Sequence, residues 1–120
     1  MSIAAAQATK FYEQVVAKGR LFTFTENDEY LVYRINDKEV ASFWSSKTRL
    51  ESIQKDHSKY QKFRISVIPL NQFLNKELQL FESEGLSIGV NWSGVRLTGH
   101  DISAQDLREN ISYWQSKDGA

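Results

Sequence analysis

Two short segments place a large aromatic beside small polar groups: Phe43-Trp44-Ser45-Ser46 and Asn91-Trp92-Ser93-Gly94-Val95-Arg96. Serines at the start of a helix offer hydroxyls next to free backbone N–H groups, a setting that favours anions. Arg96 adds a bidentate donor, Asn91 a donor and an acceptor, and the two indoles apolar walls. Trp44, Ser45, Ser46, Asn91, Trp92 and Arg96 therefore form the candidate ligand site, suited to an anionic or amide group. A plainer reading explains each residue separately: core tryptophans, a capping serine, an asparagine bonded to neighbouring backbone and a solvated arginine. Geometry decides between the two.

Other constellations are weaker. His100-Asp101 resembles a base and its orienting acid, but neighbours on a strand point to opposite faces. His57 sits in the polar run Lys55-Asp56-His57-Ser58-Lys59 and reads as a solvated loop residue. Glu26, Asp28 and Glu29 lack the spacing of a calcium loop and read as a turn. Glu82 and Glu84 flank a helix end. No Gly-x-Ser-x-Gly elbow surrounds Ser45 or Ser46, and Gly85 to Gly89 lacks the lysine of a phosphate loop. The sequence has no cysteine, which excludes disulfides, thiolate metal sites and cysteine nucleophiles. The reading is no catalytic residue, no metal and no cofactor.

The elements that must position these residues can be read from periodicity. Ala4, Ala8, Phe11, Tyr12, Val15 and Val16 form one helical face, with Ser2 as N-cap and Gly19 past the end. Leu21–Thr25, Tyr30–Ile35 and Glu39–Trp44 read as three strands separated by Glu26-Asn27-Asp28 and Asn36-Asp37. Ser45 or Ser46 then caps a helix to about Asp56, with Leu50 and Ile53 facing inward. Lys62–Ile68 is a fourth strand, and Pro69 suits the first turn of a helix carrying Leu70, Phe73, Leu74, Leu78 and Phe81 and ended by Gly85. Leu86, Ile88, Val90 and Trp92 alternate with small residues, so they are expected on one buried face. Ser93-Gly94 reads as a two-residue hairpin loop into a strand over 95–98. Ser103 and Asp106 form a capping box, and Leu107, Ile111 and Trp114 the stripe of the last helix.

The order is helix, three strands, helix, strand, helix, two strands, helix. Grouped strands favour an α+β fold with a mainly antiparallel central sheet and packed helices. The 120 residues suffice for a single domain.

Phe43-Trp44-Ser45-Ser46 and Gly89-Val90-Asn91-Trp92-Ser93-Gly94, with Gly99 and Asp101 behind them and Ala6-Gln7-Ala8 and Phe11-Tyr12 ahead, resemble a family of small proteobacterial proteins classed as domain-of-unknown-function family 2750. The likeness spans nearly the whole chain. It implies one compact bacterial cytosolic domain and brings no activity with it.

Apolar residues make up 41% and charged residues 25%, with 15 cationic and 15 anionic side chains. A formal charge of zero supplies no electrostatic drive toward nucleic acid or an anionic membrane. No run of the sequence is long and apolar enough for a membrane span. Met1–Ala6 has no basic region, and Gln7, Thr9 and Lys10 break its apolar stretch, so a secretion signal is not expected. The combined reading is a cytoplasmic, non-enzymatic binding or protein-interaction module, with a protein partner or self-association. The rival is a small-molecule binder or small enzyme using a pocket near Trp44, Asn91 and Trp92.

Overall fold

In the computed structural model, which describes residues 2–94 and 97–118, the chain opens with helix α1 (Ile3–Lys18). The Ser2 hydroxyl accepts the Ala5 N–H at 3.1 Å, and Gly19 closes the helix in the left-handed conformation. The buried face is Ala8, Phe11, Tyr12 and Val15.

A meander follows: β1 (Arg20–Glu26), β2 (Glu29–Tyr30), β3 (Val32–Ile35) and β4 (Lys38–Phe43). Its two tight turns are Asn27-Asp28 and Asn36-Asp37, all four residues at positive φ. Such turns match strand twist, and short polar side chains tolerate this conformation. The second expected strand is split at Leu31. Its first half pairs with β1 and its second half with β4, so one segment passes from one sheet to the other.

Helix α2 (Lys47–Asp56) and a 3-10 turn (Ser58–Tyr60) lead into β5 (Arg64–Pro69). This strand starts two residues later than the periodicity suggests and includes Pro69, which faces Arg20 at the sheet margin. Helix α3 (Leu70–Gln72), a π turn (Phe73–Glu77) and helix α4 (Leu78–Glu84) form one continuous rod ended by left-handed Gly85. The π turn brings Glu77 into the interior at 7% exposure, where Gln72 Nε2 donates to its Oε1 at 3.2 Å.

β6 (Ser87–Ser93), β7 (Thr98–Ser103) and α5 (Ala104–Asp118) complete the chain. Ser103 Oγ accepts the Asp106 N–H at 3.1 Å, as the capping pattern requires. Leu107 and Ile111 are fully buried and Trp114 is half-buried, stacked on Tyr12.

The sheets are β2-β1-β5 and β3-β4-β6-β7, joined by an antiparallel bridge between Phe22 and Trp44. Four ladders are antiparallel, and β4 with β6 is parallel. The fold is α+β. Alternation along β1 and β4 sends Leu21, Ala41 and Phe43 to one cluster with α1, α3–α4 and α5, and Phe22, Phe24, Val40 and Trp44 to a second cluster with α2. No described helix is long and apolar enough to cross a membrane.

The strict alternation on β6 does not survive. Leu86, Ile88 and Val90 join the first cluster, but Trp92 belongs to the second. The register to β7 shifts between Val90 and Ser93, and Asn91 has φ +49°. This bulge inserts one extra residue and turns Trp92 to the opposite face. There the indole lies on Gly89: a Cβ at that glycine would fall 2.4 Å from Trp92 Cε2. A Cβ on Gly99, in the neighbouring strand, would lie 3.0 Å from Trp92 Cδ1. Of the expected hairpin, Ser93 belongs to β6 rather than to the loop and pairs with Thr98, the first residue of β7. Residues 95 and 96 of the strand expected over 95–98 lie outside the described residues.

Gly89→Ala is expected to lower stability by about 1–3 kcal/mol, the usual cost of overpacking, read from the urea midpoint. In a Trp92→Ala background the same change should cost much less, because the clash has gone. A second prediction concerns alkali. Burial pushes the Tyr30 phenol up to about 12, and the Glu77 charge and hydrogen bond add to the rise. The fold therefore favours neutral Tyr30. Its contribution is intact below the unfolded value of 10.0 and is lost as pH rises through about 12. Tyr30→Phe should flatten that part of the alkaline limb in urea titrations.

Candidate functional site

The bulge that turns Trp92 also sets Asn91 beside the end of β4. Asn91 is 1% exposed and Ser45 3%. Asn91 Oδ1 accepts the Ser45 N–H at 2.9 Å, while Nδ2 donates to Ser45 Oγ at 3.0 Å and to the Gln7 carbonyl at 3.1 Å. Ser45 Oγ donates to Gln14 Oε1 at 2.5 Å. Its contact with Asn91 Oδ1 is longer, at 3.2 Å, and one hydroxyl proton serves only one acceptor at a time. Gln7 passes the network on, its Oε1 accepting from Arg49 Nη1 at 2.6 Å. Five side chains thus tie α1, β4, α2 and β6 together.

The two indoles brace this joint. Trp44 Nε1 donates to the Trp92 carbonyl at 2.8 Å, and Trp92 Nε1 to the His100 carbonyl at 3.1 Å. Each tryptophan buries its ring and still satisfies its one donor.

Of the six residues singled out by sequence, Trp44, Ser45, Asn91 and Trp92 come together. Ser46 takes the N-cap position of α2, but its side chain makes no cap bond there. Ser45 does not cap either, since its hydroxyl belongs to the Asn91 network. Arg96 lies outside the described residues. The Asn91 amide has both N–H groups and its oxygen engaged by protein.

Concavity lies next door. A cleft of about 470 Å³ is lined by Arg49, Ser52, Ile53, Asp56 and His57 on one side and by Trp92, Ser93 and Gly94 on the other. Residues 49, 52, 53 and 56 are one stripe of α2, spaced i, i+3, i+4, i+7. His57, rather than being a free loop residue, is half-buried with Nε2 3.2 Å from the Gly94 carbonyl oxygen. This contact holds the end of α2 against the β6–β7 hairpin. Arg49 is half-buried, and burial pulls its guanidinium below the usual arginine value. It remains a cation at neutral pH. No carboxylate pairs with it among the described residues.

Ser52, Asp56 and His57 are the residue types of a hydrolytic triad, yet no hydrogen bond joins them among the described residues. The nitrogen that would take a serine proton faces the Gly94 carbonyl instead. His100 and Asp101 are both exposed. No group of three or more His, Asp or Glu residues among those described is placed to hold a metal ion.

A family model described as "Protein of unknown function (DUF2750)" matches residues 8–111. The chain belongs to this family. The match takes in Ser45, Arg49, Asn91 and Trp92, so the brace and the cleft both lie in the DUF2750 region, and Gln7 stands just outside it. No curated protein matches the chain.

Sequence reasoning missed Arg49, Ser52 and Asp56. The available signal was the polar part of the α2 stripe, next to the apolar Leu50 and Ile53 that drew attention. Asn91→Ala is expected to destabilise by about 1–3 kcal/mol, because it leaves the buried Ser45 N–H without its acceptor. Asn91→Gly, which accepts the positive φ without strain, should still lose most of that amount in urea unfolding. Equal stability of Asn91→Gly and the parent would show that backbone conformation, not the amide network, explains Asn91.

Proposed function

We propose that this DUF2750 protein is a non-enzymatic binding module that holds a small carboxylate-bearing ligand in the cleft between α2 and the start of the β6–β7 hairpin. The observation that carries the reading is Arg49: a half-buried cation on the cleft wall, oriented by Gln7 and without a carboxylate partner among the described residues. An arginine fork accepts a carboxylate bidentately. Trp92 and Ile53 supply apolar wall, and Ser52 and Ser93 supply hydroxyls.

Asp56 narrows the ligand. It lies seven residues beyond Arg49 on the same stripe, a rise of about 10 Å. An anion at that distance disfavours polyanions such as nucleotides and favours a zwitterion with a cationic far end. Of the residues named from sequence, Trp92 lines the cleft. Trp44, Ser45 and Asn91 support it from beneath, holding Trp92 and Gln7, and through Gln7 Arg49. A cytoplasmic setting without nucleic acid or membrane partners fits the zero formal charge.

The test is a titration of the 15N-labelled protein with ω-amino acids of increasing length, with acetate and inorganic phosphate as comparisons. Shifts are expected at the Trp92 indole and the Gly94 amide, strongest for 6-aminohexanoate. Arg49→Gln should weaken that binding about tenfold, equivalent to roughly 1.4 kcal/mol, with little change in the urea midpoint. Absence of shifts with every probe at millimolar concentration, or tighter binding of phosphate, would overturn the reading.

A further inference from the structure

β3 ends the four-stranded sheet, with β4 on one side and an open edge on the other. The ladder closes at the two-residue turn Asn36-Asp37, with Ile35 opposite Lys38. The pair flanking such a turn exchanges both hydrogen bonds, and bonded and non-bonded pairs alternate from there. Tyr33 opposite Val40 is therefore bonded to β4, and the N–H and C=O groups of Val32 and Arg34 face the open edge. Val32 and Ile35 are 48% and 37% exposed.

A groove of about 290 Å³ runs beside this strand, between Leu31, Val32 and Tyr33 on one wall and Lys59, Tyr60, Lys62 and Phe63 on the other. Its aromatic part is firm, since the Tyr60 and Phe63 rings meet edge to face at 5.5 Å. Two cations stand at its rim, Lys59 Nζ 5.5 Å from the Tyr60 ring and Lys62 Nζ 5.2 Å from the Phe63 ring. Glu26 approaches Lys62 only to 4.0 Å, and Arg34 is held by Glu39 at 3.7 Å. The Tyr33 hydroxyl is buried beside the Tyr60 side chain, so the groove floor is closed by two tyrosines.

We propose that the β3 edge and this groove capture an extended acidic peptide segment of a partner protein, a function separate from the α2 cleft. The segment adds as a strand to Val32 and Arg34, places an apolar side chain among Leu31, Tyr60 and Phe63, and meets Lys59 and Lys62 with carboxylates. Backbone pairing supplies affinity, and the groove and lysines supply selectivity. A second copy of the chain fits less well. The strand it would offer, Val32-Tyr33-Arg34-Ile35, carries a cation and no carboxylate, so it cannot complement the lysine rim.

The probe is the blocked peptide acetyl-Glu-Val-Glu-Phe-Glu-Val-Glu-amide, compared with the same peptide carrying Lys for every Glu. The acidic peptide is expected to shift the amides of residues 31–35 and 59–63 and to slow hydrogen exchange at Val32 and Arg34. The doubly substituted Lys59→Glu, Lys62→Glu protein should lose about tenfold in affinity and should prefer the lysine peptide. Both substitutions are at exposed positions, so folding is preserved. Arg49→Gln should leave peptide binding unchanged, which separates this surface from the cleft. Equal binding of the two peptides, indifference to the charge reversal, or concentration-dependent protection of Val32 and Arg34 without peptide would overturn the proposal. The last result would assign the edge to self-association.

Discussion

One aromatic ring laid flat against two glycines organises this molecule. For Trp92 to leave the face shared by Ile88 and Val90, β6 must gain a residue, and Asn91 supplies it at a φ of +49°. For the ring to lie down, Gly89 and Gly99 must lack side chains. Once in place, Trp92 offers its carbonyl to the Trp44 indole and its own indole N–H to the His100 carbonyl. A β-branched or larger residue at either glycine is incompatible with that arrangement, whatever its strand propensity.

The bulge has a second consequence through Asn91. A buried amide must find partners for two N–H groups and an oxygen, or its burial is strongly unfavourable. Ser45 and Gln7 provide them, so the polar network and the indole brace form together at one distortion in the strand. The network ends on Arg49, and this couples an interior bulge to a charged group at the surface. Bulges commonly re-aim side chains next to binding sites. Here the bulge sets both a wall of the cleft and, through Gln7, the position of its cation.

Much of the fold was legible in the sequence because its signals are local. The Ser2 and Ser103 caps, the Asn-Asp turns and the left-handed Gly19 and Gly85 depend on a few adjacent residues whose conformational preferences are strong. The break at Leu31 was not legible. Tyr30–Ile35 reads as one apolar strand, and only its two different neighbours make it two. The π turn was hidden for a related reason, since Leu70, Phe73, Leu74, Leu78 and Phe81 fit an ordinary helical face. Trp92 is the instructive case. Its alternation with Leu86, Ile88 and Val90 looks the same with or without a bulge, and register depends on what lies across the strand. The interior Gly89 was the usable clue, because a glycine within a strand often marks a bulge or a close approach.

The candidate site was legible in part for the same reason. Trp44, Ser45, Asn91 and Trp92 were recognisable as aromatics paired with small polar groups, and they do meet. Their chemistry, however, is directed inward, at one another and at the backbone. The groups left with unused hydrogen-bonding capacity or charge stand one layer out, on α2 and along β3, where the sequence shows only mixed polar residues of the kind every surface carries. Net charge could not reveal them, because opposite charges cancel over the chain while remaining separated in space. Arg49 stands about two helical turns from Asp56, and Lys59 and Lys62 flank a groove where Glu26 stands 4.0 Å from Lys62. A chain of zero formal charge can thus present two local fields, each beside an aromatic wall. Selectivity for small zwitterions at one surface and acidic strands at the other would arise from that separation and from the rigid indole brace beneath it.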